Sequence, residues 1–320
     1  MISIIIPCKK LNSHLQESLK YISNLEYTNF EVIVLPDEKF FCHPEQSEGS
    51  LNFKIIPTGA IKPGAKRNIG AQHAQGDILA FLDDDACPKS NWLNKVENIF
   101  KNSNIIAVGG PAITPNTDSF SQKVSGAVYL SKFSGANPDR YWPDKKVKQV
   151  DDWPSVNFFI RKKDFLQVSG FNENFYPGED TKLCLDLIKN NKKIIYDPSV
   201  VVYHHRRGNL LKHLKQAGEY GLHRGYFAKK FPATSFKFKY FLPSLFFFFI
   251  VFGWLLIFIP YPFNLIYPIL WLIYLFALLI SIISITLKIK NIFIALVSVL
   301  YIIPTHFWYG FKFLQGILRK

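Results

Sequence analysis

The stretch Asp77-Ile78-Leu79-Ala80-Phe81-Leu82-Asp83-Asp84-Asp85 decides the fold. Its apolar half reads as a buried strand. Its tip carries three consecutive carboxylates. Charges of one sign held this close disfavour one another's ionisation, so folding selects against the cluster unless a cation neutralises it. Hard ions such as Mg²⁺ or Mn²⁺ bind one or two carboxylates together with phosphate oxygens. Taken alone, the run is equally well a solvated Asp-rich turn ahead of a helix starting near Asn91. The rest of the chain favours the metal–phosphate reading.

Working outwards, residues 2–6, 31–35, 53–56 and 105–108 are further apolar, strand-like runs. Helical patterns separate them. Leu11, Leu15, Leu19, Ile22 and Leu25 recur at helical spacing, with Ser13 and Gln16 placed for a capping box. Residues 64–74 and 91–100 are also helical in pattern. This alternation predicts an α/β class, a mostly parallel sheet with helices on both faces. Ligands of such sheets bind beyond the carboxyl ends of the strands, where Pro7, Asp37 and Asp83 all fall. Residues 114–153 are rich in Ser, Asn, Asp and Lys and predict a variable loop over that edge. After them come a strand at 156–160, helices at 163–168 and 180–189, short strands at 193–196 and 200–203, and a long helix over 210–231.

The 320 residues carry a formal charge of +14, and the composition splits near Tyr240. Every Asp and Glu precedes that point. Beyond it the chain is mostly Phe, Leu, Ile, Trp and Tyr, with a few basic residues. A basic excess in the front part suits anionic substrates or an anionic membrane face. With no long basic run and no nucleic-acid motif, a nucleic-acid partner is not expected. Cys8, Cys42, Cys87 and Cys184 show no metal-site or redox spacing and read as reduced thiols of a cytosolic compartment. The run at 2–6 is too short for a signal peptide and is followed by Pro7, Lys9 and Lys10, so the front part is expected to stay in the cytoplasm.

Residues 241–259 and 265–287 contain no charge. Each is long enough to cross a hydrocarbon core of about 30 Å at about 1.5 Å per residue. Lys229, Lys230, Lys237 and Lys239 precede the first, and Lys288 and Lys290 follow the second. Basic flanks stay on the cytoplasmic side, which predicts a hairpin of transmembrane helices in the cytoplasmic (inner or plasma) membrane. A third apolar segment at about 292–314 is interrupted by Pro304 and either spans with a kink or re-enters. The expected organisation is a catalytic domain over 1–230, a basic interfacial linker over 231–240 and a membrane region over 241–320.

A second acidic cluster, Gly178-Glu179-Asp180, opens a helix. Acids there are favoured by the helix dipole alone. One carboxylate cluster can also hold metal and phosphate while a separate carboxylate acts as general base. Together with Ile4-Ile5-Ile6-Pro7, Val32-Ile33-Val34-Leu35-Pro36-Asp37, Lys66-Arg67-Asn68-Ile69-Gly70, Phe81-Leu82-Asp83-Asp84-Asp85, Gly170-Phe171-Asn172-Glu173 and Val202-Tyr203-His204, these residues resemble a family 2 glycosyltransferase of the GT-A fold. The resemblance covers about residues 1–230 in order, and the apolar tail resembles membrane-bound members that make exopolysaccharides or lipid-linked sugars.

The resemblance implies roles position by position. Pro7, Asp37, Lys66, Arg67, Asp83 and Asp84 would bind a nucleotide-sugar donor. Pro36 stands where a second aspartate is common. Asp85, Asp83 and His204 would hold Mg²⁺ or Mn²⁺. Asp180 would be the catalytic base, with Glu179 on the acceptor side. Gln216 and Arg224 resemble a Gln-x-x-Arg-Trp element of processive synthases, although Gly225 stands in place of the Trp; packing of an amphipathic helix on the membrane face is the other reading. The implied reaction is inverting transfer to a hydroxyl of a polyprenyl- or lipid-linked saccharide, with membrane lipids as a further partner. A processive polysaccharide synthase subunit, a nucleotidyltransferase and a non-catalytic membrane adaptor are the alternatives. A dinucleotide-dependent reductase is disfavoured, because no GxGxxG follows the first strand.

Overall fold

The computed structural model describes residues 1–39, 52–144, 146–189 and 192–319; Cys42 lies outside them. Its strands are β1 (Ile2–Pro7), β2 (Phe30–Leu35), β3 (Asn52–Ile55), β4 (Ile78–Leu82), β5 (Ala86–Pro88), β6 (Ile105–Gly109), β7 (Ala112–Ile113), β8 (Lys148–Val150), β9 (Asn157–Arg161), β10 (Lys193–Tyr196) and β11 (Val202–His204). Its α-helices are α1 (Ser13–Ser23), α2 (Pro63–His73), α3 (Trp92–Phe100), α4 (Phe120–Val128), α5 (Lys162–Gln167), α6 (Glu179–Lys189), α7 (Leu210–Lys230), α8 (Pro232–Ser235), α9 (Phe238–Phe252), α10 (Ile266–Ile289) and α11 (Ile292–Leu318). The chain forms two compact units, Met1–Ile113 with Trp142–His205, and Thr114–Tyr141 with Arg206–Lys320.

In the first unit an eight-stranded sheet runs β3-β2-β1-β4-β9-β6-β10-β8. β3, β2, β1 and β4 are parallel, as is the β6–β10 pair. β9 is inserted antiparallel between β4 and β6, and β8 closes one edge antiparallel. The sheet is therefore mixed but mostly parallel. Successive side chains on one strand point to opposite faces, and the two halves of the core follow from this. Ile4, Ile6, Val32, Val34, Ala80 and Leu82 pack with Leu15, Ile22 and Trp92. Ile5, Ile33, Leu35, Leu79 and Phe81 pack with Ala71, Phe165 and Leu183 on the other face. Such strands read as continuous apolar runs because both faces are covered.

The register puts the strand ends together: Pro7 of β1 lies beside Leu35 of β2, and Ile5 beside Phe81 of β4. Asp37 and Asp83, each just past its strand, therefore emerge at one sheet edge. α2 lies unusually close to that sheet. A Cβ on Gly70 would stand 2.6 Å from Ile5 Cγ2 and 3.0 Å from Leu35 Cδ1. The glycine permits the approach, and one turn earlier it delivers Lys66 and Arg67 to the strand ends.

The second unit changes one expectation. Residues 114–153 are not one loop. Ser119 and Gln122 form a capping box that starts α4, and Val128 and Tyr129 pack with Leu278, Val299 and Ile302 of the apolar tail. Ser131 Oγ meets Ser281 Oγ at 2.8 Å. Three helical segments, Phe238–Phe258, Phe263–Ile289 and Ile292–Leu318, are long and apolar enough to cross a membrane. The third continues through Pro304 as one helix, α11. Proline is tolerated in apolar helices within bilayers; the residue after it, Thr305, turns its hydroxyl back onto the helix, Oγ1 donating to the Tyr301 carbonyl at 2.6 Å.

α11 is also more enclosed by protein than the other two. Much of that cover is α7. A Cβ on Gly225 would lie 1.9 Å from the Phe313 carbonyl oxygen, and one on Gly316 would lie 2.0 Å from that of Leu222. Small residues let the two backbones touch, as in helix pairs within bilayers.

Candidate active site

The three aspartates occupy the turn between β4 and β5, closed by the Ala86 N–H donating to the Asp83 carbonyl at 3.1 Å. β5 pairs antiparallel with β11, placing His204 across from Ala86. His204 Nε2 lies 3.0 Å from Asp85 Oδ1. One ligand atom from each of Asp83, Asp85 and His204 falls within 4.8 Å of the others. Two carboxylates and an imidazole, none of them exposed, make a donor set that suits Mn²⁺ or Mg²⁺ with substrate oxygens completing the shell. The residues fit the ion that the three-aspartate run implies.

Asp84 is held differently. Asn12 Nδ2 donates to its Oδ2 at 3.1 Å. Burial, followed by repulsion from Asp85, pushes the Asp84 carboxyl up to about 6. Asn12 also caps α1, its Oδ1 accepting from the Leu15 N–H at 2.8 Å. The expected Ser13–Gln16 box is displaced by one residue, because Asn12 both terminates the helix and reaches the acidic turn. Ser18 Oγ donates to the Ala86 carbonyl at 2.7 Å and fastens the same helix to β5. Asn12 and Ser18 were not legible as site residues; polar side chains on a helix flanking a strand end were the available signal.

Lys66 and Arg67 are 3% and 4% exposed, which excludes a solvated helix face. Lys66 Nζ donates to the carbonyls of Cys8 at 2.7 Å and Leu35 at 3.2 Å and pairs with Asp37. It ties the ends of β1 and β2 to the carboxylate beyond β2. Pro7 lies at the same edge, and the Pro36 carbonyl accepts the Thr58 N–H at 2.9 Å. The Cys8 thiol is pushed up to about 12, mostly by burial and then by the charge of Asp84, so it stays protonated.

Arg67 joins the two acidic clusters. Its Nη2 donates to Asp83 Oδ1 at 2.6 Å and its Nη1 to Glu179 Oε1 at 3.2 Å. Burial disfavours the charge, but Asp83 and Glu179 more than offset it and hold the guanidinium above its ordinary pKa. Glu179 is itself buried and accepts the Gly178 N–H at 3.0 Å. Burial, then the neighbouring Asp180 charge, raises its carboxyl against the pull of Arg67. Asp180, the next residue of α6, is half-buried and accepts the Thr181 N–H at 2.8 Å. Glu179 thus faces inward to Arg67, and Asp180 is the more accessible of the pair.

Gln216 and Arg224 lie on α7, in the second unit. There Gln216 Nε2 donates to the Tyr220 hydroxyl at 3.3 Å. Arg224 Nη1 donates to Ser235 Oγ at 3.2 Å, with its guanidinium 5.0 Å over the Tyr240 ring. Cys8, Cys87 and Cys184 are buried thiols outside any disulfide.

Comparison with known proteins agrees with this architecture. A mannosyltransferase from Pyrobaculum calidifontis, solved with GDP-Man and Mn²⁺, superposes with a TM-score of 0.52 at 16% identity, covering 70% of this chain and 62% of its own. The likeness shows a GT-A fold. The pre-mycofactocin glycosyltransferase of Mycobacterium tuberculosis is 24% identical over 69% of this chain and 46% of its own length, so the chain spans about half of that relative. A dolichyl N-acetyl-alpha-D-glucosaminyl phosphate 3-beta-D-2,3-diacetamido-2,3-dideoxy-beta-D-glucuronosyltransferase of Methanococcus voltae is 24% identical over 99% of this chain and 97% of its own. The glycosyl transferase family 2 pattern matches residues 3–165, half of the sequence, and the chain belongs to that family.

Proposed function

We propose that the protein is an inverting glycosyltransferase that moves a sugar from a nucleotide-sugar donor to a hydroxyl of a lipid-linked saccharide at the cytoplasmic face of a membrane. The observation that carries this is the Arg67 bridge between Asp83 and Glu179, which brings the three-aspartate turn and the start of α6 around one guanidinium. Asp85, Asp83 and His204 would hold Mg²⁺ or Mn²⁺, which supplies positive charge to a leaving diphosphate. Asp37, paired with Lys66, would read the nucleobase.

Asp180 would be the base. It would take the proton of the acceptor hydroxyl as that oxygen forms its bond to the anomeric carbon. The bond from that carbon to the phosphate oxygen breaks on the opposite side, so configuration inverts and a nucleoside diphosphate leaves. Arg67 holds Glu179 and Asp83 still while this occurs; a fixed constellation lowers the barrier because little rearrangement remains to be made.

The apolar helices explain the acceptor class. A lipid-linked saccharide diffuses only in the bilayer plane, and tethering the catalytic unit there raises its effective concentration. The relative from Methanococcus voltae, similar along nearly its whole length, is named for a dolichyl-phosphate-linked sugar. The lysines before α9 and after α10 favour a cytoplasmic catalytic unit. The test is a panel of nucleotide-sugars offered to detergent-solubilised protein with Mn²⁺, with polyprenyl-linked saccharides or free sugars as acceptors. Release of nucleoside diphosphate with a glycosylated lipid is expected. Pyrophosphate release, or preference for free sugars, overturns the reading.

A further inference from the structure

A second cluster of metal-type ligands stands beside the first and shares no residue with it. His14 and Glu17 lie three positions apart on α1 and so share a helix face. His205 follows β11 directly. Its Nε2 is 3.0 Å from Glu17 Oε2, and its ring centroid is 4.8 Å from that of His14. One ligand atom from each of the three lies within 4.8 Å of the others. His14 is exposed and the other two are half-buried, so solvent reaches the cluster. The His205–Glu17 contact accounts for one hydrogen bond. It does not account for the second imidazole brought against the first.

We propose that His14, Glu17 and His205 form a second metal site, selective for Zn²⁺ and similar borderline ions over Mg²⁺. Imidazole nitrogens suit Zn²⁺, so two of them against one carboxylate favour it, whereas Mg²⁺ prefers oxygen ligands, which predominate in the Asp83–Asp85–His204 set. Two imidazoles and one carboxylate leave a fourth position for water or an incoming ligand. The site is tied to the acidic turn through the backbone, since the His205 N–H donates to the Asp85 carbonyl at 3.1 Å. α1 contributes His14 and Glu17 to one cluster and, through Asn12, holds Asp84 of the other. An ion bound here pins the end of β11 to the first turns of α1, the two elements that flank the three aspartates.

The experiment is Zn²⁺ titration of the untagged, metal-stripped full chain in detergent, by competition with a chromogenic chelator, in excess Mg²⁺. One Zn²⁺ equivalent resistant to Mg²⁺ is expected in the wild type and in an Asp83→Asn/Asp85→Asn variant. His14→Gln and Glu17→Gln should each weaken that equivalent by at least about tenfold. His14 is exposed, so His14→Gln leaves the fold intact, which the metal-free melting temperature verifies. Zn²⁺ should raise the melting temperature of the wild type but not of His14→Gln. Unchanged Zn²⁺ affinity in His14→Gln, or loss of all Zn²⁺ binding in the Asp83→Asn/Asp85→Asn variant, overturns the proposal. The Asp-pair variant also separates this site from the proposed transferase site, whose failure would leave the Zn²⁺ result untouched.

Discussion

Arg67 donates to Asp83 at 2.6 Å from a position only 4% exposed, and its other terminal nitrogen reaches Glu179 at 3.2 Å. One side chain on α2 therefore sets the spacing between two acidic motifs that lie far apart in sequence. Lysine cannot reproduce this, because it lacks the planar fork that serves two carboxylates at once. Arg67→Lys should fold but lose at least about tenfold in kcat. Arg67→Ala leaves the buried Glu179 and the half-buried Asp83 uncompensated and should cost about 3 kcal/mol of stability. Thermal melts and steady-state turnover check both.

Asp180→Asn removes the proposed base without touching the Arg67 bridge. Donor binding should stay within about twofold, while turnover falls by at least about 100-fold, the usual worth of a positioned base. Single-turnover assays alongside donor titrations separate the two. Near-normal turnover ends the assignment of Asp180.

Asp85→Asn weakens a donor set of two carboxylates and an imidazole. The concentration of Mn²⁺ needed for half-maximal donor binding should rise at least about tenfold, since one of three protein ligands changes charge. Donor binding that is indifferent to chelator in both proteins contradicts the placement.

Gly225 packs so closely that an added Cβ would lie 1.9 Å from the Phe313 carbonyl oxygen. Gly225→Ala must push α7 and α11 apart and should cost about 1–3 kcal/mol. Gly208, where an added Cβ would meet no other residue within 4 Å, is the control, and its Ala variant should melt like the wild type. Unfolding in detergent, followed by circular dichroism, measures the difference.

His213 is fully buried on α7 between two hydroxyls, with Nδ1 2.8 Å from Ser125 Oγ and Nε2 3.1 Å from Thr305 Oγ1. Thr305 spends its proton on the Tyr301 carbonyl, so it accepts from Nε2–H, and Ser125 donates to Nδ1. The neutral ring is satisfied. Burial lowers its pKa to about 4. The unfolded chain then binds the extra proton first, so stability is intact above about pH 6.5 and is lost as pH falls toward 4, by up to about 3 kcal/mol. Melting temperatures from pH 7 to 4.5 should fall more steeply for the wild type than for His213→Gln.

The strands of the first unit were legible because burial on both faces demands uninterrupted Ile, Val and Leu, as in Ile4-Ile5-Ile6 and Val32-Ile33-Val34. β5 was not, because three residues carry no period and Ala86-Cys87-Pro88 finds its partner strand, β11, only far along the chain. α4 was missed although Ser119 and Gln122 carried a capping box, because the polar residues around them masked it. The aspartates and Asp180 stood out by charge. Lys66 and Arg67 stood out by motif, but their burial and partners did not, since a cation looks the same on a wet or a dry helix face.

Local pattern alone thus marked most of the segments that form strands, the segments apolar enough for lipid, and the carboxylates that cluster, because side-chain periodicity and charge are properties of neighbours in the chain. Packing of distant segments decided the rest: that β9 enters antiparallel, that α11 passes unbroken through Pro304 along α7, that Asn12 holds Asp84, and that one guanidinium joins residue 83 to residue 179. Those contacts depend on close approach and exclusion of water between remote parts of the chain, and no local spacing encodes them.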